Sequence, residues 1–162
     1  MKNLKQYAQV CMNELDDLGI PYRNAEWKTS SRATKWYGRC ECRNGKYTIK
    51  ISDKLLQDNI SDYPLKNTII HELLHTTCMN DRHGGEWLRM AKKVNANTKY
   101  NITKLSNYEK YGVHMNKHEY KYEVYCPNCG TIGRYKRKCA TTEHLERYMC
   151  AKCKGDLKVR EL

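Results

Sequence analysis

Phenylalanine is absent from the 162 residues, proline occurs three times, and no apolar run approaches the roughly 18 residues of a membrane span. The N-terminus also lacks the apolar core of a secretory signal, so the sequence reads as soluble, intracellular and cytoplasmic, with no membrane partner. Acidic residues are scarce as well: 18 Asp and Glu face 30 Lys and Arg, leaving a net charge of +12. Such an excess favours polyanionic partners such as nucleic acid, although a basic surface can also serve only for solubility. Aromatic surface comes instead from 13 Tyr and 3 Trp. Cysteine is plentiful, at nine, and in a reducing compartment metal binding suits it better than disulfides. The length fits one modest domain plus a small appendage, without internal repeats, and is read as a monomer.

Residues 3 to 18 carry Leu4, Ala8, Cys11, Leu15 and Leu18 on one stripe, with Gly19 and Pro21 beyond it, which predicts a helix. Residues 34 to 42 and 46 to 52 flank Asn44-Gly45, a two-residue hairpin signal, and Tyr47, Ile49 and Ile51 alternate as a half-buried strand should. Cys40 and Cys42 then share one strand face, but no second pair at metal-knuckle spacing lies nearby, so they read as structural. Residues 97 to 118, rich in Asn, Lys and Tyr, lack periodicity and read as a connector.

The densest chemical signal is His71-Glu72-Leu73-Leu74-His75, an H-E-x-x-H pentapeptide. On a helix, four residues span about 6 Å and roughly one turn, so two imidazoles can grip one ion with a carboxylate beside them. Zinc with two His and one further ligand keeps a position open and lowers the pKa of water to about 7, which points to hydrolysis. Ser61-Asp62-Tyr63-Pro64 supplies a helix start, and Ile69, Ile70, Leu73 and Leu74 an apolar flank. For the third ligand, Cys78 is about 10.5 Å from His71 along a continuing helix and reads as packed. The long metzincin form needs Gly at 78 and His at 81, where Cys78 and Asp81 stand. His83 is the strongest candidate, because Asn80-Asp81-Arg82 can turn the chain back; His114 and His118 are weaker ones. Beyond it Trp87, Met90, Ala91 and Val94 predict a second amphipathic helix starting near Gly84.

With the run Asp81-Arg82-His83-Gly84-Gly85-Glu86-Trp87-Leu88-Arg89-Met90 added, the chain resembles the SprT-like zinc metalloproteases, whose eukaryotic members include the Spartan DNA-protein crosslink proteases. The shared pattern is H-E-x-x-H followed by H-G-x-E and an aromatic residue. Many members have Pro at the position of Gly85 and Phe at that of Trp87. Upstream, Tyr37-Gly38-Arg39-Cys40 and the strand Tyr47 to Ser52 are similar to the strand pair that precedes the family's metal helix. The resemblance implies a small zincin-like core, with His71, His75 and His83 as ligands of a catalytic zinc and Glu72 as catalytic acid/base. It also implies substrates among proteins bound or crosslinked to DNA.

Cys126-Pro-Asn-Cys129 and Cys150-Ala-Lys-Cys153 form two C-x-x-C knuckles, each followed closely by glycine, and predict a structural four-cysteine zinc ribbon. Cys139 and His144 fall between them as alternative ligands. Arg134, Tyr135, Lys136, Arg137 and Lys138 form a basic and aromatic cluster suited to phosphate contacts and base stacking, or to a solvated rim. SprT-like proteins commonly join their core to such a ribbon, so the resemblance covers nearly the whole chain.

The sequence therefore predicts an α+β protein: a metalloprotease core over residues 1–98, a connector over 99–118 and a zinc ribbon over 119–162. Two zinc ions, protein substrates and single- or double-stranded DNA are its expected partners, with nucleoid association if it binds DNA. The alternative is a DNA-binding module whose zinc is catalytically idle. The presence of Glu72 argues against that alternative, since binding needs only the ligands.

Overall fold

The computed structural model describes residues 1–78, 82–115 and 120–162, and the chain divides into two compact units, 1–115 and 116–162. Each is a small α+β assembly. No helix among the described residues is long and apolar enough to cross a membrane.

The first unit opens with helix α1, Leu4–Asp17, whose N-cap Asn3 accepts hydrogen bonds from the Lys5 and Gln6 amides. Its predicted stripe buries Leu4, Ala8, Cys11 and Leu15, and Gly19 ends it at φ +58. Strands β1 (Ala25–Ser30), β2 (Gly38–Arg43) and β3 (Lys46–Ser52) form a sheet of order β1-β3-β2. Strand β3 lies centrally, antiparallel to β2 and parallel to β1. The hairpin turns through Asn44 at φ 49 and Gly45 at φ 75, the left-handed pair that a two-residue turn needs.

Helix α2, Asp62–His75, runs through the middle of the unit and packs against α1, β2, β3 and helix α3, Gly85–Asn97. Leu65, Ile69, Ile70, Leu73 and Leu74 are all fully buried on it. At roughly 1.5–3 kcal/mol for each such side chain removed from water, this helix anchors the core. Cys78 is buried as expected, its thiol donating to the Leu74 carbonyl at 3.0 Å.

The connector expectation needs correction over residues 99–115, while 116–118 lie outside the described residues. Tyr100, Ile102, Tyr108 and Val113 are buried members of the first core. The segment is held by side-chain hydrogen bonds: Asn101 N–H donates to Asn67 Oδ1 at 3.0 Å, and Asn67 Nδ2 donates to Tyr108 Oη at 2.8 Å. Irregular backbone becomes core here because polar side chains, not a ladder, satisfy it. His118 and the turn residues Asn80 and Asp81 lie outside the described residues.

In the second unit β4 (Tyr122–Cys126) sits between β5 (Gly130–Tyr135) and β6 (Lys158–Glu161), antiparallel to both, with a short helix α4 at Ala140–Glu143. Its core cluster of buried residues is Val124, Cys126, Cys150 and Leu157. So small an apolar core needs another source of stability.

Candidate active site

His71 and His75 lie one turn apart on α2, and the backbone past it brings His83 back at φ 72, just before α3. The three imidazoles converge: His83 Nε2 is 3.0 Å from His71 Nε2 and 3.0 Å from His75 Nε2. Beneath them lies Trp87, fully buried, with ring centroids 4.9, 5.5 and 4.6 Å from those of His71, His75 and His83. Thus α2 fixes two imidazoles, and α3 supplies the floor under all three.

The donor set fits a divalent ion. Burial, followed by the charges of His75 and His83, holds the His71 imidazole down to about 3, and burial followed by His83 holds His75 down to about 4. The Thr103 backbone opposes the shift at His71, although His71 Nδ1 is buried without a geometrically complete hydrogen bond. His83 is lowered by burial and further by the Lys104 charge, against the Arg82 backbone. All three rings are therefore neutral near pH 7, the form in which imidazole binds metal. A tetrahedral zinc with bonds of about 2.05 Å would set its nitrogens about 3.3 Å apart, close to the spacing found.

Glu72 is 5% exposed, and its side chain lies against Gly38 of β2. Burial pushes its carboxyl up to about 8, while the Cys40 backbone pulls it down. A carboxyl poised there suits proton transfer near neutral pH. A cavity of about 400 Å3 opens on this group, and Arg39, Cys40, Arg82 and Lys104 line it together with the histidines and Glu72. None of these four was singled out as a site residue from sequence. Gly38 had a legible signal, since glycine inside a strand marks close backbone approach.

His114, the weaker candidate, is outside the cluster: its residue is exposed, and its carbonyl accepts from Lys54 Nζ at 2.8 Å. Cys42 is exposed and joins no metal-ligand group among the described residues, and nor does Cys40.

In the second unit the sulfurs of Cys126, Cys129, Cys150 and Cys153 lie within 4.8 Å of one another, and all nine cysteines are free. The Cys126 and Cys153 sulfurs are 3.4 Å apart, against about 3.8 Å for the edges of a tetrahedral zinc-thiolate site. Backbone amides of Cys153 and Lys152 lower the Cys150 thiol to about 6, whereas hydrogen bonds with Cys153 and Cys150 push the Cys129 thiol up to about 12. Cys139 instead caps α4, and His144 contacts Glu146, so neither joins the four.

Of the basic cluster, β5 carries Arg134, which is exposed, and Tyr135, which is half-buried and packs against the Val124 core. Arg134 Nε donates to Glu123 Oε1 at 3.0 Å, and Arg160 Nε donates to Glu123 Oε2 at 2.7 Å from the opposite strand. Glu123 is buried beneath these two guanidiniums, yet both arginines keep more than half of their side chains exposed. Arg137 and Lys138 are exposed.

The model of a family described as the SprT-like family matches residues 2–106. The human germ cell nuclear acidic protein is 31% identical over 160 residues, covering 91% of this chain and 20% of that protein. The chain thus spans about one fifth of the length of that curated relative.

Proposed function

This chain belongs to the SprT-like family, and from that premise we propose that it is a zinc-dependent metalloprotease with a zincin-like core and a C-terminal zinc ribbon, acting on proteins bound or crosslinked to DNA. The observation that carries the reading is the meeting of three neutral imidazoles, with His83 Nε2 3.0 Å from those of both His71 and His75, in one cavity with the buried Glu72. His71, His75 and His83 would hold the catalytic zinc, and Cys126, Cys129, Cys150 and Cys153 the structural one. When bound at the histidines, zinc supplies a Lewis acid that polarises a carbonyl and makes water more acidic. Glu72 takes the proton as water adds to the peptide carbon, then delivers it to the nitrogen as the C–N bond breaks. Its burial keeps bulk water from competing for that proton. The four-thiolate site has no vacancy for substrate and serves folding, worth on the order of 10 kcal/mol in such small units.

The DNA part of the proposal rests on the net charge of +12, the exposed cations Arg137 and Lys138, and the family resemblance. The test is cleavage of an unfolded protein by the zinc-loaded chain, alone and with the substrate tethered to DNA. Chelation should abolish cleavage, zinc should restore it, and tethering should accelerate it. Cleavage that is indifferent to chelation would overturn the zinc mechanism; tethering without effect would remove DNA from the reading.

A further inference from the structure

Two cavities adjoin the histidine cluster, one of about 400 Å3 and one of about 200 Å3. Gly38, His71, Glu72 and Lys104 line both. Arg39 and Arg82 belong to the first alone, Trp36 and Leu105 to the second alone. An extended polypeptide occupying both must cross between them at these shared residues. A peptide bond beside Glu72 would then also lie beside Lys104.

Lys104 is exposed, but the backbone that presents it is fixed. Asn95 on α3 grips Ile102 from both sides: its Oδ1 accepts from the Ile102 N–H at 2.6 Å, and its Nδ2 donates to the Ile102 carbonyl at 3.0 Å. Asn101 is held by Asn67, which lies one turn before His71 on the same helix. The Thr103 hydroxyl donates to the Leu105 carbonyl at 2.9 Å, closing the turn around Lys104. Ile102 and Tyr108, each 3% exposed, sink into the core on either side. The helix that carries the histidines therefore also sets where Lys104 emerges.

We propose that Lys104 stabilises the oxyanion that develops on the scissile carbonyl, a catalytic role that the three histidines and Glu72 leave open. The proposal rests on the peptide-hydrolysis reading. Addition of water places negative charge on the carbonyl oxygen before the C–N bond breaks. Glu72 is occupied with the proton and carries the wrong sign to stabilise that charge. An ammonium has three donors and no acceptor, so it meets an oxyanion without competing for the base's role. Arg39 is less suited, since it lines one cavity only and leans toward Glu41 at 3.8 Å.

The test uses the full zinc-loaded chain with Lys104→Met, Lys104→Arg and Arg82→Met. Lys104→Met should keep its zinc and its KM while kcat falls about 100-fold, the loss typical of one oxyanion donor; Lys104→Arg should recover part of it. A binding measurement stands apart from turnover. Calorimetric affinity for a phosphinic peptide, a tetrahedral anion resembling the addition product, should fall by a similar factor in Lys104→Met. Affinity for the unaltered peptide, measured in the Glu72→Gln background, should not change. Equal phosphinic-peptide affinity with and without Lys104, or a kcat loss that follows Arg82→Met instead, overturns the assignment. A wild-type chain that binds the phosphinic peptide but cleaves nothing overturns the hydrolase reading, and the binding comparison still decides the place of Lys104.

Discussion

Gly38 on β2 and Glu72 on α2 approach so closely that a β-carbon on Gly38 would stand 2.7 Å from both Cγ and Oε1 of Glu72. It would also meet Thr68 Cγ2 at 2.6 Å. The missing side chain of one residue is the space occupied by the other.

Gly38→Ala should therefore displace the Glu72 carboxyl or part β2 from α2. Overpacking of this kind costs about 1–3 kcal/mol, so the denaturation midpoint should drop while zinc-dependent cleavage falls more steeply than stability explains. A variant with wild-type stability and wild-type kcat would show that Glu72 has room to move without consequence.

Metal content separates the two units. Purified protein should hold two zinc ions, one lost in His71→Ala or His83→Ala and the other in Cys126→Ser or Cys153→Ser. Glu72→Gln should keep both ions and lose at least about 100-fold in cleavage, as expected for a missing general base. Elemental analysis showing two ions in Cys126→Ser would end the ribbon assignment.

Stability of the metal-free protein should depend on pH in two opposing ways. His71 and His75 move on folding from 6.5 to about 3 and about 4, so the unfolded chain binds more protons and stability rises with pH up to about 6.5. Glu72 moves from 4.5 to about 8, so the folded chain holds the extra proton and stability falls across that interval. The two histidines outweigh the one carboxyl below about 6.5; above it only the fall remains. Urea melts with chelator present should thus peak near pH 6.5, and Glu72→Gln should erase the decline toward pH 8. All three tryptophans, Trp27, Trp36 and Trp87, lie in the first unit, so their emission follows this transition alone. A wild-type decline that persists in Glu72→Gln would assign it to other groups.

For DNA, the structure changes which residues to alter. Arg134→Ala would leave the buried Glu123 with one guanidinium fewer, mixing folding with binding. Arg137→Ala and Lys138→Ala together avoid this. Each lost phosphate contact should lessen the slope of log K against log salt by about one. DNA-free peptide cleavage should persist. An unchanged slope and affinity would make these two a solvated rim.

What was legible in the sequence was local chemistry. The H-E-x-x-H spacing, the Asn44-Gly45 turn, the α1 stripe and the paired knuckles each state their geometry within a few residues. Strand β1 was not foreseen, because its alternation amounts to Ala25 and Trp27 around Glu26 and Lys28, a short signal, and its pairing with β3 is long-range and parallel. Residues 99–115 misled for a related reason: their burial depends on Asn67 and Asn95, distant side chains that no periodicity in the segment announces. Cys40 read as structural because it lacked a partner knuckle, and it packs against the first core while also lining the cavity beside Glu72. Chemistry carried by neighbours in sequence was readable; chemistry assembled by topology was not.

The indole of Trp87, seated against all three imidazoles, also makes the site optically addressable. Cobalt or copper at those nitrogens would quench that emission by proximity, whereas neither Trp27 nor Trp36 has a ring contact with the histidines among the described residues. With Trp27 and Trp36 replaced by tyrosine, the chain would report its own occupancy in real time, without dye or coupled reaction.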